Sequence, residues 1–220
     1  MNALKKFNTI GFDLDGTLIN SANGIFESYL FATTSLGINP KSKDFVINRI
    51  GPPIDIFFCN LHPNQEYKLQ DYERLFREHY LSSGYQRTEL KVKAETLLKL
   101  IHSSKIKTFI LTNKSRASTE KILTLLNIRK FFFEIICINQ NSSPLDNKTD
   151  CLHDCKKKYL TKNQLMAYIG DTEEDLNAAV ANHIPFFGLK DGYGKFKNYN
   201  RESIKIYRDI SELLEIAFYS

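Results

Sequence analysis

Thr9-Ile10-Gly11-Phe12-Asp13-Leu14-Asp15-Gly16-Thr17 is the stretch on which the reading of this 220-residue chain turns. Its first four residues read as a short buried strand. Asp13 and Asp15 stand two positions apart, so in extended backbone both carboxylates leave the same side. Gly16 lets the chain turn sharply just beyond them and bring its backbone close to whatever they hold. Two like charges at such range repel unless a cation or a shared proton relieves them. Magnesium, a hard divalent ion that takes oxygen ligands at short distance, is the natural relief. An Asp-Gly pair by itself is a common turn former; the apolar strand in front of it is what gives this one its weight.

Past Thr17 the period changes from strand to helix. Asn20 or Ser21 can cap a helix carrying Ile25, Phe26, Tyr29, Leu30 and Thr33, which Gly37 and Pro40 end. Further helices are expected from Ser42 to Ile50, from Ile54 to Leu61, and from Tyr67 to near Gly84, with Gly51-Pro52-Pro53 breaking the first from the second. The block 18–85 shows no strand pattern and reads as a helical cap domain, inserted into a core made of residues 1–17 and 86–220. From Thr88 onward, helices alternate with apolar strands at 108–111, 135–138, 165–169, 184–189 and 204–207. That alternation argues for an α/β fold with a doubly wound, parallel, Rossmann-like sheet. In such sheets ligands bind beyond the carboxyl ends of the strands, which is where Asp13, Thr112 and Asp171 fall.

Four pieces carry chemistry: Asp13 with Asp15, Thr112-Asn113, Lys148, and Gly170-Asp171-Thr172-Glu173-Glu174-Asp175. Phosphoryl transfer needs a nucleophile, a metal, donors for phosphate oxygens and a group that moves protons. Asp13 suits the nucleophile of an aspartyl-phosphate. Asp15 suits the acid that protonates the leaving group and then the base that activates water. The Thr112 hydroxyl and the Asn113 amide hydrogen can donate to phosphate, and Lys148 supplies positive charge. Asp171, Asp13 and the Asp15 backbone carbonyl can hold magnesium, and Asp175, one helical turn from Asp171, is a direct or indirect partner of the same ion. Each piece alone has an ordinary structural reading: a β-forming Thr, a surface lysine, an acidic cluster at a helix N-terminus. Their order and their places at strand ends turn the reading to chemistry.

Phe12 to Thr17, Thr112 to Lys114, Lys148 and Gly170 to Asp175 resemble, in order, the four motifs of the haloacid dehalogenase-like (HAD) hydrolases. The helical block is similar to that family's C1-type cap. Arg49-Ile50-Gly51-Pro52-Pro53 and Asp191-Gly192-Tyr193-Gly194 resemble the phosphoglycolate phosphatase-like branch. The resemblance implies magnesium-dependent hydrolysis of a phosphate ester and a mobile cap that closes over the substrate. The chain departs from the pattern at Lys148, which is followed by Thr149-Asp150 where the family usually has prolines. Arg49 either pairs with a substrate carboxylate or serves in a structural salt bridge. A phosphomutase, or a non-catalytic protein of the same fold, are the alternative readings.

The 30 basic and 25 acidic residues leave a formal charge of +5, a modest and scattered excess that does not mark a nucleic-acid binder. No apolar run approaches the length of a membrane span. The four cysteines show no disulfide spacing. Cys151, His153 and Cys155 crowd into one helical turn but lack a second ligand pair at metal-site spacing. The expectation is a cytoplasmic monomer or homodimer acting on a small phosphorylated metabolite, with no nucleic-acid or membrane partner.

Overall fold

The computed structural model describes residues 4–138, 147–196 and 202–216. The Asn-rich stretch expected as a loop at 139–147 lies largely outside them, as does Ala217 at the end of the last expected helix. Six parallel strands form the main sheet: β1 (Thr9–Phe12), β4 (Lys107–Thr112), β5 (Glu134–Cys137), β6 (Met166–Gly170), β7 (Phe186–Leu189) and β8 (Ile204–Tyr207), in the order β5-β4-β1-β6-β7-β8. The sheet grows outward in both directions from β1, which makes β1 the switch point of a doubly wound fold.

Alternate residues of the strands feed two separate cores, which is why the strands read as nearly continuous apolar runs. On one face Ile10, Phe12, Ile110 and Ile169 pack with Leu97 and Ile101 of α5 (Ala94–Ser103) and with Ile122 and Leu123 of α6 (Arg116–Leu125). On the other face Phe109, Leu111 and Tyr168 pack under α7 (Lys148–Tyr159) and α8 (Glu173–Ala181). A short helix α9 (Ile210–Leu214) closes the first face.

The cap consists of α1 (Ala22–Ser35), α2 (Lys43–Ile47), α3 (Ile54–Leu61) and α4 (Leu69–Ser82). Stacked aromatics hold it together: the rings of Phe58 and Tyr72 lie 4.3 Å apart and those of Phe76 and Tyr80 5.9 Å. The expectation that 18–85 is free of strands needs correction. Ile19–Asn20 forms β2, which pairs antiparallel with β3 (Glu89–Leu90). The two chain crossings between core and cap are therefore tied to each other by backbone. A strand of two residues is too short to show a period in sequence. Among the described residues, no helix is long and apolar enough to cross a membrane, and no disulfide joins any of the four cysteines.

Candidate active site

The strand register brings the motifs to one edge. Phe12 stands level with Ile110 and with Ile169, so Asp13 comes level with Leu111 and Gly170, next to Thr112 and Asp171. Asp13 continues the ladder, its N–H donating to the Ile169 carbonyl at 2.9 Å. The chain then turns back on itself, with Leu18 donating to the Leu14 carbonyl at 3.0 Å. Gly16 makes that turn at φ +85°, and a Cβ there would run into the Asp171 carboxylate. The residue must be glycine for both reasons.

Lys148 is the centre of the buried charge. It opens α7, where the Asn147 side chain caps the helix by accepting from the Asp150 N–H at 2.9 Å. Its ammonium is 2.7 Å from Asp13 Oδ1 and 2.7 Å from Asp175 Oδ1, and the residue is 2% exposed. Burial works to lower the Lys148 pKa, but Asp13 and Asp175 outweigh it and hold the ammonium well above its ordinary value. The Asp175 carboxylate is filled. Oδ1 also accepts from the Tyr168 hydroxyl, and Oδ2 accepts from the Asp171 and Thr172 N–H groups and from the Thr172 hydroxyl. Thr172 accepts in return from the Asp175 N–H, which closes a capping box on α8.

Asp171 has only neutral partners of its own: the Thr17 hydroxyl and the Tyr193 N–H each donate to it at 2.7 Å. Burial, then the neighbouring Asp175 charge, push its carboxyl up to about 6. Burial likewise pushes Asp13 well above the ordinary carboxylate range against the pull of Lys148. Oxygens of Asp13, Asp171 and Asp175 lie within 4.8 Å of one another. Among the described residues, one ammonium, that of Lys148, touches this group of three buried carboxylates, and it pairs with only two of them. That deficit of positive charge fits a divalent cation, for which Asp13 and Asp171 are the carboxylates at hand.

Thr112, 1% exposed, accepts from the Lys114 N–H at 3.2 Å, which leaves its own hydroxyl hydrogen to give. Both side-chain hydrogens of Asn113 are taken. Nδ2 donates to the Gly51 carbonyl of the cap at 3.1 Å and to Glu174 Oε2 at 2.8 Å. Asp15 accepts at Oδ1 from Ser21 Oγ in a short bond and from Lys114 Nζ at 3.1 Å. The Lys114 ammonium also sits 4.3 Å from the centre of the Tyr80 ring in the cap. Burial opposes its charge, but Asp15 and Tyr80 raise the Lys114 pKa above its ordinary value.

Asp13, Asp15, Thr112, Asn113 and Lys148 all line one cavity of about 760 Å³ between core and cap. Asp171 and Asp175 lie beneath its floor, fully buried. Arg49 does not line it. Its guanidinium lies 3.5 Å over the Phe45 ring and donates to the Phe45 carbonyl at 3.0 Å, within its own helical turn. Sequence reasoning gave no role to Lys114, Thr17, Lys91 or Arg77. Lys114 and Thr17 each directly follow or end a motif, and that adjacency was the available signal. Lys91 donates to the Gly16 carbonyl at 2.8 Å and pairs with Asp191 at 2.6 Å, tying the turn after Asp13 to the 191–194 loop. Arg77 borders the cavity from an exposed position on an ordinary amphipathic helix, and nothing in its sequence context marks it.

The sequence model of the haloacid dehalogenase-like hydrolase family matches residues 10–189. The chain is 25% identical over 218 residues to a phosphoglycolate phosphatase of Vibrio parahaemolyticus, covering 94% of this chain and 95% of the relative. It is also 25% identical over 222 residues to the pyrophosphatase PpaX of Halalkalibacterium halodurans, covering 96% and 97%. A solved haloacid dehalogenase-like family hydrolase from Streptococcus pneumoniae superposes with a TM-score of 0.83 at 24% identity, over 98% of this chain and 99% of that one.

Proposed function

The chain belongs to the haloacid dehalogenase-like hydrolases, and from that premise we propose that it is a magnesium-dependent phosphatase that hydrolyses a small phosphomonoester through a phospho-aspartate on Asp13. The observation that supports this most is the buried contact of Lys148 Nζ with Asp13 Oδ1, beside Asp171, in the floor of the cavity. Lys148 occupies one Asp13 oxygen and leaves the other for in-line attack on phosphorus. Lys148, the Thr112 hydroxyl and the Asn113 backbone N–H neutralise or bind the phosphoryl oxygens. Asp15, held by Ser21 and Lys114, gives a proton to the departing alcohol. It then takes one from the water that attacks the phospho-aspartate. Asp13, Asp171 and the Asp15 carbonyl would hold magnesium, which supplies positive charge against the phosphate oxygens. Asp175 acts through Lys148 and the start of α8 by fixing both. The substrate is a small phosphorylated metabolite.

Phosphate release from a panel of phosphomonoesters, with and without magnesium, tests the chemistry. Release is expected only with the metal, and Asp13→Asn is expected to lower it by on the order of 10⁴-fold or more while leaving the circular-dichroism spectrum unchanged. Borohydride reduction of the working enzyme is expected to convert Asp13 to homoserine, the product of a reduced acyl phosphate. Near-normal turnover by Asp13→Asn, or a label on another residue, refutes the assignment.

A further inference from the structure

The floor of the cavity and its wall differ in kind. The wall comes from the cap and is largely apolar, with Ile25, Ile50, Ile54, Phe57, Phe76 and Tyr80 facing the space. Its charged groups are Asp55, Glu73 and Arg77, two carboxylates against one guanidinium. That guanidinium is engaged: Arg77 Nη2 lies 3.2 Å from Glu73 Oε2. The two lysines that line the cavity are engaged as well, Lys148 by Asp13 and Asp175, and Lys114 by Asp15. Among the described lining residues, every cation has a carboxylate partner.

A further acceptor points the same way. Asn113 Oδ1 is buried and has no hydrogen-bond partner. Its amide orientation is set by the two acceptors on Nδ2, since the flipped amide would place oxygen against the Gly51 carbonyl and the Glu174 carboxylate. An acceptor buried in this way is costly until a donor meets it. What the cavity offers a leaving group is apolar surface and one unfilled acceptor. What it lacks is a free positive charge. A second anion placed there would meet two like charges, Asp55 and Glu73, whereas a flat apolar face gains from Phe57, Phe76 and Tyr80. The volume of about 760 Å³ is that of pockets for ligands far larger than phosphoglycolate or pyrophosphate.

We propose that the leaving group is uncharged, carries a broad apolar face and presents hydrogen-bond donors, as the nucleoside of a nucleoside 5′-monophosphate does. This rests on the phosphatase reading above. The bond broken is the P–O ester bond. The nucleoside departs as the alcohol with the proton given by Asp15, and water supplies the oxygen that leaves with the phosphate. The wall then rejects the second anion of phosphoglycolate or pyrophosphate.

The test compares kcat/KM of the magnesium-loaded enzyme for the common nucleoside 5′-monophosphates, phosphoglycolate, inorganic pyrophosphate, glucose 6-phosphate and p-nitrophenyl phosphate. The best nucleotide is expected to exceed phosphoglycolate and pyrophosphate by about tenfold or more. Equal or better use of phosphoglycolate, pyrophosphate or the hexose phosphate overturns the inference and leaves the phosphatase reading standing. No release from any member, p-nitrophenyl phosphate included, overturns the phosphatase reading itself. Phe76→Ala is expected to raise KM for the nucleotide about tenfold, and an unmoved KM counts against the wall. Glu73→Gln, a half-exposed position that folding tolerates, frees Arg77. It is expected to shift the ratio of phosphoglycolate to nucleotide use about tenfold toward phosphoglycolate, and an unshifted ratio refutes the role of the pair.

Discussion

The floor and the wall of the cavity are built on opposite terms. In the floor nearly every polar atom has a partner: Asp175 accepts five hydrogen bonds, from Lys148, Tyr168, Asp171 and twice from Thr172. The wall is aromatic and aliphatic, with one ion pair and an unfilled acceptor at its border. The difference separates two tasks. Placing a nucleophile requires a stiff polar network in which no group is free to move. Accepting a leaving group requires surface that rewards shape and charge class. The floor is therefore expected to be intolerant of any change, and the wall to respond by changing preference.

The sharpest attempt to break that contrast is Lys148→Met. It removes the one ammonium shared by Asp13 and Asp175. A phosphate-site donor is worth about 10²–10³ in rate, and removing one partner of a buried charge pair costs about 3–5 kcal/mol of stability. Phosphate release and urea unfolding are both expected to show the loss. A drop in kcat/KM under tenfold would move the charge role elsewhere.

A smaller effect concerns the metal. Asp171 is pushed up to about 6 by burial and by Asp175. For a carboxyl raised in the folded state, the neutral form is favoured there. Its contribution to the stability of the metal-free protein is fully present below the unfolded carboxyl pKa of about 4, and is lost as pH rises through about 6. Magnesium competes with that same proton. It is expected to raise Tm near pH 7.5, by an amount worth about 2.7 kcal/mol at a hundredfold excess over its Kd, and progressively less as pH falls below 6. Thermal scans at both pH values check it; a magnesium effect equal at pH 5 and 7.5 would exclude Asp171 from the metal site.

The smallest effect is expected at Arg49. Its side chain is spent on Phe45, and an exposed contact of that kind is worth about 0.5–1 kcal/mol. Arg49→Ala is expected to leave kcat/KM within about threefold for every substrate, by the same 1.4 kcal/mol-per-decade arithmetic. A larger, substrate-selective loss would place Arg49 on the wall after all.

The strands, their parallel order and the edge where the motifs meet were legible because apolar runs and strand-end carboxylates are local patterns. Lys148 was legible in type and position, in spite of the missing prolines after it, because it had to precede a helix at that point in the chain. What it touches was not legible: Asp13 is 135 positions away, and only the packing of α7 against β4 and α8 brings them together. The donors around Asp171 have the same cause, since Thr17 and Tyr193 come from opposite ends of the chain. Arg49 and Arg77 show the limit most plainly. Both are cap arginines, Arg49 just past the end of α2 and Arg77 on α4, and helical period alone does not say which borders the cavity.

The sequence by itself determined the class of fold and where Asp13, Asp15 and Asp171 fall in it, and it raised the expectation of a divalent ion. Those follow from side-chain period and from the repulsion of like charges held two residues apart. Only the tertiary structure decided how the charges are shared and which cap residues line the cavity. Pairing depends on which buried groups come within hydrogen-bond reach across the chain, and the energy of a buried charge depends on that reach far more than on its own identity.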